Sequence, residues 1–421
     1  MTKNILFFPD VYQEHGHWRP VITLAQRLKA QISVNVAFMG IADCRTIVES
    51  YDLEFHEIFK KEYPMGYAKT QQRYPLNEYS RLAHMWDITG GGLDVLMEDF
   101  KPDIIVSGYF TSIETLLMYY KYNKKYGTKF MFTTTFLRHP SVSPELQAIQ
   151  TLTSMSEPIT QKIIASVCEN PVDINKPIHD FVKPLKDTIE LILCPREFEY
   201  ESYRFDSDID KEKGRVKFIE PCVTPCILDN TWKKDIPLEK VGNGKIIYAT
   251  AGSQVQDYRD RAHCWFVEMV RMMGLHGMQD YHLVMSVGHD LVKESWAQKD
   301  ALPENVSVFP WVPQLDVLEK SAAAYVHGGL ATIKECICKN VPIIVVPLGK
   351  DQMDNALRVS RSGIGQIADA ETTPYKDLQH NFLLATTNNW MIKKLKKMHD
   401  LFVDMENKRP GVQLILNELG M

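Results

Sequence analysis

The sequence predicts a two-domain α/β protein in which each domain is built on a parallel, doubly wound sheet. Three observations carry this. The chain has 421 residues, more than one ordinary hydrophobic core accommodates. Short apolar runs of strand length alternate with helical patterns, which is how a sheet covered by helices on both faces reads. The pattern also restarts: an apolar strand, a polar loop and a helix at residues 5–28 have a counterpart that begins at residues 245–250.

In the first half, residues 5–8 form a continuous apolar strand, as expected of a strand buried on both faces. A polar loop follows, and Pro20 opens a helix in which Val21, Leu24, Ala25 and Leu28 fall at helical spacing. Val34, Val36 and Phe38 alternate as the next strand. A helix is expected over 93–100, and strands over 104–106, 130–133 and 189–194. The second half opens with strand 245–250, the loop Ala251-Gly252-Ser253 and a helix over 265–273. Strands at 282–286, 306–309, 323–326 and 343–346 follow. Residues 221–243 carry prolines and glycines without periodicity and read as a linker. The expected division is a first domain 1–220, the linker 221–243, a second domain 244–385, and a helical segment 386–421 that packs back on the first domain. Two such domains in tandem imply a site in the cleft between them, outside the carboxyl ends of both sheets.

Composition narrows the class. Hydrophobic residues are 45% and charged residues 24%, the balance of a globular protein. A net charge of −5 excludes nucleic acid as the main partner, because phosphate binding needs concentrated Lys and Arg. No run approaches the roughly 18 apolar residues of a membrane span. The apolar stretch 5–8 is too short for a signal-peptide core and is closed by Pro9-Asp10, so a cytoplasmic protein is expected. Eight cysteines are scattered from Cys44 to Cys338. The close pairs, Cys222/Cys226 and Cys336/Cys338, lack a second pair or a histidine cluster at metal-ligating spacing. Buried thiols are expected, with neither disulfides nor a metal site.

The residues that carry chemistry lie mainly in the second half. Tyr325-Val326 ends a buried strand, and His327-Gly328-Gly329 forms a tight turn into a helix that starts near Ala331. A helix N-terminus beside a glycine turn offers backbone N–H groups and a positive dipole end to a phosphate. His327 and Thr332 add side-chain donors. Glu335 lies one helical turn past Thr332, about 5 Å further along, a reach that suits ribose hydroxyls. Trp311 offers an aromatic face to a base. Asp351 and Gln352 follow the last of these strands and suit sugar hydroxyls.

On these residues the sequence resembles the family 1 UDP-glycosyltransferases of the bacterial natural-product type, over nearly its whole length. The family's donor motif reads approximately W-x-P-Q-x-x-V-L, then H-x-G-x-N-S-x-x-E, then D-Q. Here it is Trp311-Val312-Pro313-Gln314-Leu315-Asp316-Val317-Leu318, His327 through Glu335, and Asp351-Gln352. The resemblance implies the GT-B arrangement of two Rossmann-like domains, with the donor in the second and the acceptor in the first. It places Trp311, with Val312 beside it, on the uracil, Gln314 and Glu335 on the ribose, and His327 with the Gly328-Gly329 turn on the pyrophosphate. Asp351 and Gln352 would hold the transferred sugar, of glucose type, and Gly252-Ser253 matches the G-S loop that donates to the β-phosphate. The usual Asn-Ser is replaced by Ala331-Thr332, which removes an amide donor and keeps a hydroxyl. The reaction implied is inverting transfer from a UDP-sugar, a co-substrate, to a small-molecule acceptor, with no cofactor and no metal.

Gly16-His17-Trp18-Arg19-Pro20 supplies the base. Neutral imidazole is suited to taking a proton from an acceptor hydroxyl near pH 7, and His17 stands in the G-H-x-x-P frame of the family's catalytic histidine. His15 has the wrong spacing and reads as a loop residue. The family's partner acid for the base follows the strand at 104–106, where this chain has Ser107-Gly108. Asp103 belongs to the other end of that strand and Glu114 lies further along the next helix. Three readings stay open: another acid supplies the role, the acceptor is acidic enough not to need it, or the histidine acts elsewhere. The second favours phenolic or enolic acceptors.

The remaining features read plainly. Gly90-Gly91-Gly92 is a loop into a helix. Ser286-Val287-Gly288-His289-Asp290 is either a turn or a donor-base contact. Lys393, Lys394, Lys396 and Lys397 flank a stripe of Ile392, Leu395, Met398 and Phe402, a solvated helix face, with membrane-surface contact as the alternative. An acceptor pocket is expected from residues 63–79, Trp86 and residues 138–146, which mix aromatic and polar side chains and suit a flat or lipophilic molecule. The rival functions are a non-catalytic sugar-nucleotide binder and another GT-B enzyme, a sugar-nucleotide epimerase or an envelope glycosyltransferase.

Overall fold

The apolar run Ile5–Phe8 sits in the first strand, β1 (Lys3–Phe8), where each of its four side chains is at most 1% exposed. Burial on both faces is what a central parallel strand requires. The computed structural model describes residues 2–67, 80–86, 92–167, 178–203, 214–223 and 245–421. The chain divides into two units. The first comprises Met1–Cys194, Glu201–Cys222 and Arg409–Met421, and the second Pro195–Tyr200 and Val223–Lys408. Most of the segment 221–243 lies outside the described residues.

In the first unit β1 is joined by β2 (Val34–Gly40), β3 (Glu54–Glu57), β4 (Ile104–Gly108), β5 (Lys129–Thr134), β6 (Ile189–Ile192) and β7 (Val216–Phe218). The order is β3-β2-β1-β4-β5-β6-β7 and every pairing is parallel. The second unit holds β8 (Ile246–Thr250), β9 (His282–Ser286), β10 (Val306–Phe309), β11 (Ser321–Val326), β12 (Ile343–Val345) and β13 (Gly365–Ile367). Its order, β10-β9-β8-β11-β12-β13, is likewise parallel throughout. Both sheets are Rossmann-like and doubly wound. The strand order reverses between β1 and β4 in one and between β8 and β11 in the other, and ligands of such sheets bind at the carboxyl ends beside that reversal. The strands that periodicity does not reveal, β3, β7 and β13, are short and lie at or next to sheet edges, where polar residues are tolerated.

The helix after β1 begins earlier than its proline suggests. It spans His15–Lys29 with Pro20 inside, so His15 and His17 are helical and not in a loop. Pro20 lacks the N–H that would bond Gly16, yet its fixed φ is helical and the break falls near the helix start. Trp18 holds that start in place. Its fully buried indole donates to the Tyr12 carbonyl at 2.7 Å and packs into space that a Cβ on Gly40 would occupy, 2.7 Å from the ring.

The C-terminal segment 386–421 is divided. The helix Asn389–Lys408 belongs to the second unit and the helix Pro410–Glu418 to the first. On the former, Met391, Leu395 and Phe402 are buried while Ile392 is 38% exposed, so the apolar stripe starts one residue earlier than expected. Lys393, Lys394, Lys396 and Lys397 form its solvated face. Among the described residues, Cys44, Cys194, Cys222 and Cys336 are buried, Cys338 is half-buried, and Cys264 is exposed, a departure from the expectation. Among the described residues, no helix is long and apolar enough to cross a membrane.

Candidate active site

In the first unit His17 stands in the first turn of its helix, just past the carboxyl end of β1. Its Nδ1 lies 2.5 Å from the Oδ2 of Asp10, whose side chain is 5% exposed against 26% for the imidazole. The other oxygen of Asp10 accepts the Tyr12 backbone N–H at 3.0 Å, which fixes the carboxylate plane. The imidazole stacks on Phe110, centroids 5.2 Å apart and planes inclined by 26°, and Phe110 stacks in turn on Phe136 at 5.4 Å. An acid therefore does stand beside His17, of the three readings left open by the sequence the first.

Gly108 could not have supplied it. A Cβ there would lie 1.7 Å from the Pro9 carbonyl oxygen and 2.6 Å from its carbon. The end of β4 passes so close to the chain leaving β1 that only glycine fits. Glu114 is fully buried and held by Arg81, its Oε1 2.7 Å from Nε. Asp103 sits at the far end of β4, bonded to the Lys3 ammonium at 2.8 Å and the Asn4 N–H at 2.9 Å. His15, two residues before His17, is pushed down to about 4 by burial and by the Arg19 charge, so it is neutral at pH 7.

In the second unit the loop after β8 and the turn after β11 interlock through one ring. His327 occupies the space over two glycines: a Cβ on Gly252 would be 2.4 Å from its Cε1, and one on Gly329 would be 2.5 Å from its Nε2. Gly252 adopts φ +77° and Gly328 φ +95°, conformations that favour glycine. A Cβ on Gly328 would also meet the Gln352 carbonyl at 2.8 Å. The Thr250 carbonyl accepts the His327 N–H at 3.2 Å, and its hydroxyl accepts the Gly252 N–H at 3.2 Å. Burial drives the His327 pKa down to about 4, so the ring is a neutral hydrogen-bonding group. Its Nδ1 is buried without a partner among the described residues. Gly329 caps the helix Leu330–Cys338, and Ser253 is exposed on the facing loop. Glycine N–H groups, a helix N-terminus and a neutral imidazole form a cradle suited to an anion.

Trp311 leaves 39% of its surface exposed, while Val312 is buried. The Gln314 amide nitrogen donates to Glu335 and to the Thr332 hydroxyl, and its oxygen accepts from Tyr248 OH at 2.9 Å. Tyr248 was not anticipated. It is a buried strand residue whose phenol is pushed up by burial, and it fixes which way the Gln314 amide faces. Thr332 accepts from Gln314 and retains its own hydrogen for a ligand. After Ser286 the chain follows β10 for two more residues, Val287 and Gly288 donating to the Phe309 and Pro310 carbonyls at 2.9 and 3.0 Å, and Gly288–Leu291 then forms a short helix.

Asp351 and Gln352 differ from each other. Gln352 is buried, and its amide oxygen accepts the Leu348 and Gly349 N–H groups at 2.7 and 3.0 Å. Only its NH2 end, unbonded among the described residues, is left to meet a hydroxyl. Asp351 is exposed and accepts from Asn355 at 3.0 Å, and the same amide nitrogen donates to the Gly328 carbonyl at 3.0 Å. Asn355 thus ties the Asp351 carboxylate to the His327-Gly328-Gly329 turn. It was missed, although its place one helical turn after Asp351 is the signal that could have found it. Arg358, fully buried, continues the chain to Glu199 at 2.7 Å. Of the expected acceptor lining, residues 68–79 lie outside the described residues, as do Gly90 and Gly91. Arg138 is committed to the buried Glu190.

Comparison with known proteins agrees with this geometry. Residues 293–400 match the family described as UDP-glucoronosyl and UDP-glucosyl transferase. An uncharacterized UDP-glucosyltransferase of Bacillus subtilis (strain 168) is 19% identical over 91% of this chain and 90% of its own length. The oleandomycin glycosyltransferase of Streptomyces antibioticus is 24% identical over 54% of this chain and 49% of its own. The crystal structure of the kitacinnamycin glycotransferase superposes over 100% of both chains with a TM-score of 0.70 at 20% identity. The resemblance to family 1 UDP-glycosyltransferases therefore holds, and the fold is GT-B. The chain is a glycosyltransferase that works with a nucleotide sugar.

Proposed function

We propose that this glycosyltransferase moves a glucose-type sugar from UDP to a hydroxyl of a small, flat or lipophilic acceptor, with inversion at the anomeric carbon. The observation that carries the reading is the interlocked cradle of Gly252, His327 and Gly329 beside the Trp311–Gln314–Glu335 network. Pyrophosphate, ribose and base require those chemistries in that sequence. The acceptor oxygen forms a bond to C1 as the C1–O bond to the diphosphate breaks, and the electron pair leaves on UDP. His17 takes the acceptor proton. The cradle stabilises the departing charge, the type of electrostatic help that dominates such reactions. The stacked Phe110 and Phe136 beside His17 favour a flat acceptor. So do the natural-product names of the oleandomycin relative and the kitacinnamycin structure.

The choice of glucose rests on the resemblance, in which the amide at Gln352 recognises hydroxyls of the glucose configuration; here its NH2 group is the end able to donate to such a hydroxyl. The test is an acceptor panel incubated with UDP-glucose, UDP-galactose and TDP-glucose, with products identified by mass spectrometry and anomeric configuration by NMR. A β-glucoside from the α-configured UDP-glucose is the expected product. Retention at C1, or faster turnover with UDP-galactose, contradicts the corresponding part of the reading.

A further inference from the structure

We infer that Asp10 is the positioning residue of His17, so that the acid of the pair comes from the loop after β1 because the end of β4 is closed to it. The inference rests on the proposed transfer reaction and names a residue that no sequence motif assigns. Two independent observations meet here. The Asp10 carboxylate is nearly buried, is oriented by the Tyr12 N–H, and lies 2.5 Å from the His17 Nδ1. At the other candidate position, a side chain on Gly108 would overlap the Pro9 carbonyl, the residue next to Asp10. The same crossing of β1 and β4 that excludes an acid at 108 sets the backbone from which Asp10 reaches the imidazole.

The chemical consequence follows from the tautomer. A carboxylate at Nδ1 accepts only from Nδ1–H, which leaves the lone pair on Nε2 to take the acceptor proton. As the acceptor oxygen bonds C1 and UDP departs, the proton moves from that oxygen to Nε2, and the imidazolium charge falls beside the Asp10 carboxylate. An acidic acceptor is then not required, and aliphatic alcohols are substrates.

Asp10→Asn tests this with almost no change of shape. The Tyr12 N–H keeps the amide oxygen on its own side, so the NH2 group turns to His17 and donates to Nδ1. That stabilises the Nε2–H tautomer, which cannot accept a proton. Expected are a fall in kcat of roughly 10²–10⁴ with an aliphatic acceptor, a smaller fall with a matched phenol, and a UDP affinity within about twofold of wild type. ¹⁵N NMR of histidine-labelled protein reads the tautomer directly: Nδ1–H for His17 in the wild type, Nε2–H in Asp10→Asn. Asp10→Glu, which keeps the charge, should recover part of the rate. Wild-type kcat in Asp10→Asn, or an Nε2–H tautomer in the wild type, overturns the inference. If the wild type transfers no sugar from any donor, the proposed function fails instead, and the tautomer measurement still decides the Asp10–His17 pair. That measurement on the wild type also decides it should Asp10→Asn not fold.

Discussion

Gly329→Ala isolates the role of the His327 ring. Gly329 has φ −62° and ψ 131°, a backbone that alanine adopts without strain, so only the new methyl matters. That methyl would lie 2.5 Å from Nε2 and 3.0 Å from Cε1 of His327. Ordinary van der Waals contact begins near 3.5 Å, so the ring must retreat by about 1 Å. Gly252 backs it on the other side, where even a Cβ would be 2.4 Å away, so it has little room to do so. A hydrogen bond of about 2.9 Å stretched by that amount is lost. Losing it costs about 1–3 kcal/mol, or roughly 5- to 150-fold in affinity for UDP. Calorimetry on Gly329→Ala, His327→Ala and the double variant makes the test specific. Each single variant should weaken UDP, and adding Gly329→Ala to His327→Ala should change affinity less than about twofold, because no ring remains to be displaced. Additive losses, or full UDP affinity in folded Gly329→Ala, would refute the placement of the phosphate cradle.

His17→Ala should lower kcat by roughly 10²–10⁴ and leave UDP affinity unchanged; a turnover close to wild type would remove His17 as the base. Gly108→Asp should lose more than about 4 kcal/mol of stability in denaturant titration, the range of severe backbone conflicts, because its Cβ would sit 1.7 Å from the Pro9 oxygen. A stable Gly108→Asp enzyme with improved aliphatic turnover would contradict the closed β4 end. Activity after exhaustive chelation should equal activity with added magnesium, and a strict divalent requirement would show that the leaving-group site is misread. Stability should fall as pH drops from about 6.5 towards 4. His15 and His327 are both held near 4 by burial, so in that window the unfolded chain binds more protons than the folded one. The denaturation midpoint should therefore be lower at pH 5 than at pH 7. His15→Gln with His327→Gln should flatten that slope, and an unchanged slope would assign it to other groups.

The architecture was legible because buried parallel strands must be apolar on both faces. Ile5–Phe8, Ile246–Thr250 and Ile343–Val345 announce themselves for that reason, and the turns after β8 and β11 can be placed by their glycines. The residues grouped around the His327 turn were legible for a related reason. Trp311, Gln314, His327 and Glu335 have chemistries whose spacing survives in one dimension, since each follows a strand end or a helical turn. Helix starts were less legible. Pro20 reads as a first residue, yet Trp18 docking against Gly40 pulls the helix back to His15.

What the sequence by itself determined is the fold class and which residue types stand around the His327 turn. What only the tertiary structure decided is how they are paired. Sequence alone marked Gly108 as a missing acid, because an expected side chain was absent there. In three dimensions that glycine is required by the Pro9 carbonyl pressed against it, and the acid is Asp10. Likewise, Tyr248 and Asn355 look like ordinary strand and helix residues until the fold brings Tyr248 to the Gln314 amide and Asn355 to the Gly328 carbonyl. The physical reason is common to all three. Periodicity reports which face of an element is buried, whereas a hydrogen bond or a clash depends on where a second, sequence-distant backbone passes, and one-dimensional spacing does not contain that.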